Sequence, residues 1–216
     1  MTEAPRIDAL VLAGGRSSRM QATPEACNAI DKAHVMLGDE PLIAHVVRTM
    51  RSAIHTLYIS TNGNPDVYRA IGVPVADARD PASEAIAFDG PLAGVLAGLC
   101  ATQAEWLAVA PCDTPFLPKQ WIQRLYAVAS AQGARLAVAS QGGVRQPVCM
   151  LVHVSLRDGL QTALANGERK VGMWQRQCAA LEVSFDDAPV ESFMNINTPD
   201  ELTHAHAVLA LRQPAR

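Results

Sequence analysis

The sequence carries little net charge, no apolar run of membrane length and no paired cysteines. Its formal net charge is -3, so no general basic patch for nucleic acid is expected. No window approaches the roughly 20 consecutive apolar residues that a membrane-spanning helix requires. Met1 to Arg6 is too short and polar for a signal peptide. Cys27, Cys100, Cys112, Cys149 and Cys178 are odd in number and include no C-x-x-C pair, which argues against a disulfide framework and a structural zinc site. His204 and His206, two apart on a predicted helix, face different sides and make poor metal partners. Internal repeats, low-complexity tracts and interdomain linkers are also missing. These absences point to a cytoplasmic protein that binds neither nucleic acid nor membrane.

The two familiar phosphate signatures are absent as well. There is no G-x-x-x-x-G-K-[ST] of a P-loop and no G-x-G-x-x-G of a dinucleotide fold. What stands instead is a glycine-rich segment, Leu12-Ala13-Gly14-Gly15-Arg16-Ser17-Ser18-Arg19-Met20, after the apolar run Ile7 to Leu12. Gly14 and Gly15 permit positive φ and close backbone approach, so successive N–H groups can cradle an anion. Arg16, Arg19 and Lys32 add cations suited to a phosphate chain.

Two further segments end other predicted elements. Pro111-Cys112-Asp113-Thr114-Pro115 follows the apolar run Trp106 to Ala110 and places a carboxylate at the end of a strand. Asp113 is a candidate Mg²⁺ ligand, because that ion takes one or two carboxylates and completes its shell with water and phosphate oxygens. An Asx-turn or helix cap is the structural alternative for the same residue. Cys112 beside it has no His nearby in sequence and reads as a packing residue. In Asn195-Ile196-Asn197-Thr198-Pro199, Thr198 reads as a helix cap, with Pro199 in the first turn and Glu201 completing a capping box. Asn195 and Asn197, just outside that cap, are freer to face a ligand on the acceptor side.

The remaining pattern alternates strands and helices. Helices are predicted near Pro41 to Ser52, from Pro91 to about Thr102, and at Pro118–Ala131, Leu156–Ala165, Val171–Cys178 and after Thr198. Strands are predicted at Thr56–Ser60, Val73–Ala76, Leu136–Ala139 and Val148–Val152. With 49% hydrophobic residues the chain can bury a substantial core. The expectation is one α/β domain spanning residues 1–216, core about 7–211, built as a three-layer α/β/α fold around a mostly parallel, doubly wound sheet. Ligands of such sheets lie beyond the carboxyl ends of the strands.

Taken together, Leu12 to Met20, Asp31-Lys32, Gly90-Pro91-Leu92-Ala93-Gly94, Pro111 to Pro118 and Asn195 to Leu202 resemble the molybdenum cofactor guanylyltransferases. These are a branch of the nucleotidyltransferases with a glycosyltransferase-A-like fold. The resemblance implies transfer of GMP from GTP to the terminal phosphate of molybdopterin carrying molybdenum, with pyrophosphate released. It implies that Leu12, Ala13 and Gly14, with Gly15 and Arg16, hold the nucleotide, that Lys32 contacts phosphate beside Arg19, and that Asp113 holds Mg²⁺. It implies guanine contacts from Ser60 or Asn62 and from Asp77, which also reads as a solvated residue at a strand end. Arg169 and Lys170, and the Arg145-Gln146-Pro147 segment, are either acceptor-side contacts or solvated junctions. Other cofactor-biosynthesis proteins or molybdoenzyme chaperones are implied as partners. The alternatives are a related cytidylyltransferase, a sugar-phosphate nucleotidyltransferase and a catalytically weak GTP-binding protein.

The chain departs from the family pattern in three places. The link Gln21 to Ile30 is longer than the short glycine-containing one usual there, and Gln21 stands where glycine is usual. Either Asp31-Lys32 returns to the phosphates through this longer loop, which also suits a lid, or the lysine role has moved or been lost. Asn195 stands where many related cytidylyltransferases carry an aspartate.

Overall fold

The computed structural model describes residues 5–13, 31–77, 79–80, 83–87 and 90–212. Seven strands form its central sheet: β1 (Ile7–Leu12), β2 (Leu57–Ser60), β3 (Val73–Val75), β4 (Trp106–Pro111), β5 (Leu136–Gln141), β6 (Val144–His153) and β7 (Leu181–Ser184). Their order is β7-β5-β6-β4-β1-β2-β3. All neighbours are parallel except β6, which runs antiparallel to both β4 and β5. The predicted doubly wound, mostly parallel fold is therefore the observed one.

The reversal at β6 has a local cause. Gly142 and Gly143 have φ of 58° and 72° and form a two-residue connection between β5 and β6. Positive φ at both positions is what a tight hairpin turn of this twist demands. Strands joined so closely can only be antiparallel. Both strands consequently run longer than the sequence pattern predicts. β7 was absent from the prediction: it is a four-residue edge strand with only Val183 buried, too short for alternation to register.

Among the described residues six helices cover the sheet: α1 (Leu42–Met50), α2 (Pro91–Ala101), α3 (Trp121–Gln132), α4 (Arg157–Ala165), α5 (Val171–Gln177) and α6 (Pro199–Arg212). Alternation along the strands divides the core. Ala9, Val11, Ala108 and Ala110 face α1 and α3, packing on Val46, Met50, Trp121 and Leu125. Leu10, Leu107 and Val109 face α2, α4 and α5, meeting Leu96, Leu99, Leu160 and Trp174. α6 closes a third cluster with Leu37, Leu42, Phe116 and Ile196. The helix predicted from Pro118 begins instead at Trp121, since Pro118 to Gln120 form a turn in which the Trp121 N–H donates to the Pro118 carbonyl. Gly133, at φ 62°, ends it in the left-handed conformation usual after a helix. Among the described residues no helix is long and apolar enough to cross a membrane.

Asp8 breaks the apolar run of β1, and its burial is compensated. Its carboxylate accepts from the Thr56 N–H at 2.9 Å and from the Thr102 hydroxyl at 2.6 Å. It thereby joins the entry of β2 to the end of α2. Asp8→Ala would leave both donors without that partner, each at ~1 to 3 kcal/mol. We expect a loss of about 2 to 6 kcal/mol, seen as a lower urea midpoint with an unchanged slope.

Candidate active site

Register brings the predicted pieces to one edge. Leu12, the last residue of β1, lies opposite Ser60 on one side and Pro111 on the other. Ser60 in turn lies opposite Val75 at the end of β3. The chain segments leaving these strands must therefore emerge side by side. They border a cleft of about 740 Å³, whose lining includes Leu12, Lys32, Ser60, Asn62, Asp77, Asp113 and Asn197.

At one end of the cleft Lys32 forms an ion pair with Asp113, and its ammonium also donates to Asn197 Oδ1 at 2.5 Å. Lys32 starts a short 3₁₀ turn, Lys32–His34, capped by Asp31, which accepts from the Ala33 N–H at 3.1 Å. The second Asp31 oxygen accepts from the buried Tyr68 hydroxyl, and His34 stacks on the Tyr68 ring at 5.2 Å. Burial, and then the hydrogen bond and charge of Asp31, push the Tyr68 phenol well above its ordinary range, so it remains a donor. The long link before Asp31 thus does not displace Lys32 from the Asp113 loop. Nothing in the local pattern around Tyr68 reveals this support, because its partner lies across the fold. We expect Tyr68→Phe to lower kcat/KM about tenfold, from a hydrogen bond to a charged group worth ~1.5 kcal/mol, with the fold intact by thermal unfolding.

Asn197 is held by the predicted capping box. Glu201 accepts from the Thr198 N–H at 2.9 Å and from the Asn197 N–H at 2.5 Å, while the Thr198 hydroxyl accepts from the Glu201 N–H at 3.2 Å. Asn195 has a different place from the one expected. Its Oδ1 accepts from the buried Thr114 hydroxyl at 2.7 Å, and it does not line the cleft. The Asp113 carbonyl meanwhile accepts from the Ile196 N–H at 3.0 Å. Asn195 and Ile196 therefore clamp the Asp113 turn, and of the two asparagines only Asn197 faces the cleft.

At the other end, Ser60 and Asn62 each donate to a different oxygen of Asp77 at 2.7 Å. Each carboxylate oxygen keeps a second lone pair, so Asp77 can still accept from a ligand. Gly94, on α2, forms part of the wall between: a Cβ there would come within 2.5 Å of Ser60 Oγ and 2.7 Å of Leu12 Cδ2. The Ala13 N–H is already bonded to the Ser60 carbonyl at 2.9 Å, and the Leu12 carbonyl accepts from the Cys112 N–H at 3.1 Å. Their capacity toward a ligand is correspondingly reduced. Gly14, Gly15, Arg16, Arg19 and the link Gln21 to Ile30 lie outside the described residues.

Mg²⁺ can be weighed against the donors present. Asp113 Oδ1 is buried and has no hydrogen-bond partner among the described residues, whereas Oδ2 meets Lys32. A hard anionic oxygen left over in this way suits Mg²⁺. Among the described residues no group of three or more His, Cys, Asp and Glu could hold a metal. A single carboxylate with substrate oxygens is the donor set that fits. Cys112 is buried, and desolvation followed by the nearby Asp113 charge raises its thiol far above the ordinary range, as expected for a packing residue. Arg145 pairs with Glu182 at 3.1 Å, and the Arg169 guanidinium donates to the Leu164 carbonyl at 2.7 Å at the end of α4.

A mostly parallel sheet with an acidic and cationic pair beyond one strand and a hydrogen-bonded acceptor set beyond two others has the architecture of an α/β nucleotidyltransferase. Solved structures agree on the fold. The molybdopterin-guanine dinucleotide biosynthesis protein A of Archaeoglobus fulgidus superposes with a TM-score of 0.73 at 21% identity, covering 94% of this chain and 99% of its own. The 4-diphosphocytidyl-2C-methyl-D-erythritol synthase of Anaerococcus prevotii gives 0.70 at 11% identity, covering 96% and 97%. The chain belongs to the family of MobA-like NTP transferase domains, whose family model matches residues 9–181. A protein of Burkholderia ambifaria named molybdenum cofactor guanylyltransferase is 42% identical over 203 residues, 92% of this chain and 94% of its own. Another of that name from Shewanella loihica is 36% identical over 197 residues, 91% and 94%.

Proposed function

We propose that this chain transfers GMP from GTP to the terminal phosphate of molybdenum-loaded molybdopterin, releasing pyrophosphate and forming the molybdopterin guanine dinucleotide cofactor. The observation that carries the reading is the joining of Lys32, Asp113 and Asn197 at one end of a cleft whose other end holds Ser60, Asn62 and Asp77, in a chain whose relatives are named for this activity.

Guanine presents two adjacent donors on its pairing edge, and Asp77, oriented by Ser60 and Asn62, accepts them. Cytosine has no such pair. An acceptor left unmatched costs ~1 to 3 kcal/mol, or roughly tenfold to a hundredfold in base selection. In the transfer, an oxygen of the acceptor phosphate forms a bond to the α-phosphorus of GTP. The bond from that phosphorus to the bridging oxygen breaks, and pyrophosphate leaves with the electron pair. The attacking phosphate is already ionised, so no general base is assigned. Lys32 neutralises phosphate charge, with Asp113 and Asn197 fixing where its ammonium sits. Asp113 Oδ1 would hold Mg²⁺, which supplies further neutralisation of the triphosphate when bound. Catalysis is by positioning and electrostatics. Arg19, with Gly14, Gly15 and Arg16, is assigned to the phosphate side by the sequence resemblance alone.

The test is pyrophosphate release with Mg²⁺, molybdenum-loaded molybdopterin and either GTP or CTP. Release from GTP alone is expected. Release from CTP would move the chain to a cytidylyl activity, and release from neither would make it a binding protein or one with another acceptor.

A further inference from the structure

One wall of the cleft is built by a break in β6. That strand pairs with β4 from His153 back to Met150, opposite Trp106 to Val109, and parts from it as β4 continues to Pro111. On its other side the register with β5 shifts between Arg145 and Met150, so that Gln146 to Cys149 stand against Ala139 alone. Surplus residues of this kind leave the ladder and bend the strand, and such bulges are frequent beside active sites. Pro147 suits the position, because it has no N–H to lose from the ladder. Val148 is carried to the cleft, and among the described residues it is the one part of β6 that lines it.

A segment that has left its ladder needs other bonds to hold its shape. Gln175 on α5, whose side chain is fully buried, supplies them. Its amide nitrogen donates to the Pro147 carbonyl at 2.7 Å and lies 3.5 Å from Met150 Sδ. One NH2 group thus reaches β6 on both sides of Val148. Because a carbonyl can only accept, the bond to Pro147 also fixes which way the amide faces. Oε1 is thereby left buried with no hydrogen-bond partner among the described residues.

That half-satisfied amide is a poor stabiliser. A buried acceptor left unpaired costs about as much as an ordinary hydrogen bond returns, or more. An apolar side chain of the same length would serve the core as well, so stability does not explain a glutamine here. Its bond to the residue beside Val148 does.

Sheet order gives that wall its role. The cleft runs from Asp77 and Ser60 past Leu12 to Asp113, and then to Val148 on the far side of β4. With the base read at Asp77 and phosphate charge neutralised at Lys32, the Val148 end is left for the second substrate. We propose that Gln175 is a positioning residue for that acceptor. It does not line the cleft and touches neither substrate, but holds the Pro147–Val148 bulge in the shape that receives the phosphate-bearing pterin. The assignment rests on the transfer reading above.

Gln175→Met tests it, since methionine keeps the length of the side chain while removing both the donor and the orphaned oxygen. Pyrophosphate release is measured against the concentration of molybdenum-loaded molybdopterin, with GTP and Mg²⁺ saturating. GTP binding without acceptor and thermal unfolding are followed alongside. The expected result is an acceptor KM raised about tenfold, the effect of losing one well-made hydrogen bond, with kcat, GTP affinity and Tm little changed. Val148→Ala should raise the same KM, and Gln175→Met should add little on top of it, because both act on one wall. A lowered Tm with unchanged acceptor KM would make Gln175 merely structural and overturn the proposal. Fully additive effects of the two substitutions would overturn it too. Should Gln175→Met fail to fold, Val148→Ala decides the matter, an unchanged acceptor KM being the contrary result. Wild-type protein that released no pyrophosphate with this acceptor would instead defeat the transfer reading, and the acceptor role with it.

Discussion

Asp113→Asn is expected to reduce turnover about a thousandfold while leaving the fold in place. The amide keeps the size of the carboxylate and an oxygen to accept from Lys32, so the turn clamped by Thr114–Asn195 and Asp113–Ile196 contacts persists. What is lost is the negative charge. Removing a preorganised electrostatic group from an active site typically costs ~3 to 4 kcal/mol in the transition state, or about a hundredfold to a thousandfold. The larger value is expected here because the substitution also weakens the oxygen donor proposed for Mg²⁺. Steady-state pyrophosphate release as a function of Mg²⁺ concentration gives the distinguishing measurement. The half-saturating Mg²⁺ concentration should rise along with the loss of kcat, and thermal unfolding should change little. A fall in kcat with no change in Mg²⁺ dependence would remove Asp113 from the metal role.

Lys32→Ala should cost about 3 to 4 kcal/mol, a hundredfold to a thousandfold in rate, with the opposite effect on the metal. The ion pair is mostly out of solvent, the two side chains being 11% and 13% exposed. Deleting the ammonium leaves Asp113 uncompensated, which lowers stability but makes the carboxylate a stronger cation ligand. The expected signature is therefore a lower kcat and weaker GTP binding with an unchanged or lower Mg²⁺ requirement. Lys32→Arg, which keeps the charge but replaces a compact ammonium with a planar fork, should recover only part of the rate. If Lys32→Ala retained full turnover, the lysine role in this chain would have passed to another residue.

Most strands and helices were legible because each alternation or turn signal is local. The apolar run of β1, the Pro91 start of α2 and the Thr198–Glu201 box all act within a few residues, and all appear as read. β7 was not legible, because its four residues gain their strand character by pairing with β5. Nor was the reversal of β6 at Gly142-Gly143. The asparagines divide along the same line. Both stand just outside a legible cap, but Asn197 reaches Lys32 while Asn195 bonds Thr114, a choice made by packing against the Asp113 turn.

By itself, then, the sequence determined the fold class, the candidates Lys32 and Asp113, and the family those motifs indicate, because each depends on residue type and short-range spacing. Ser60, Asn62 and Asp77 became candidates only through the resemblance to that family. Tertiary structure alone decided that Lys32 still meets Asp113 after the unusually long link, that Tyr68 supports its turn, and that Ser60 and Asn62 share Asp77. These are contacts between residues far apart along the chain, and only strand register and helix packing set their distances.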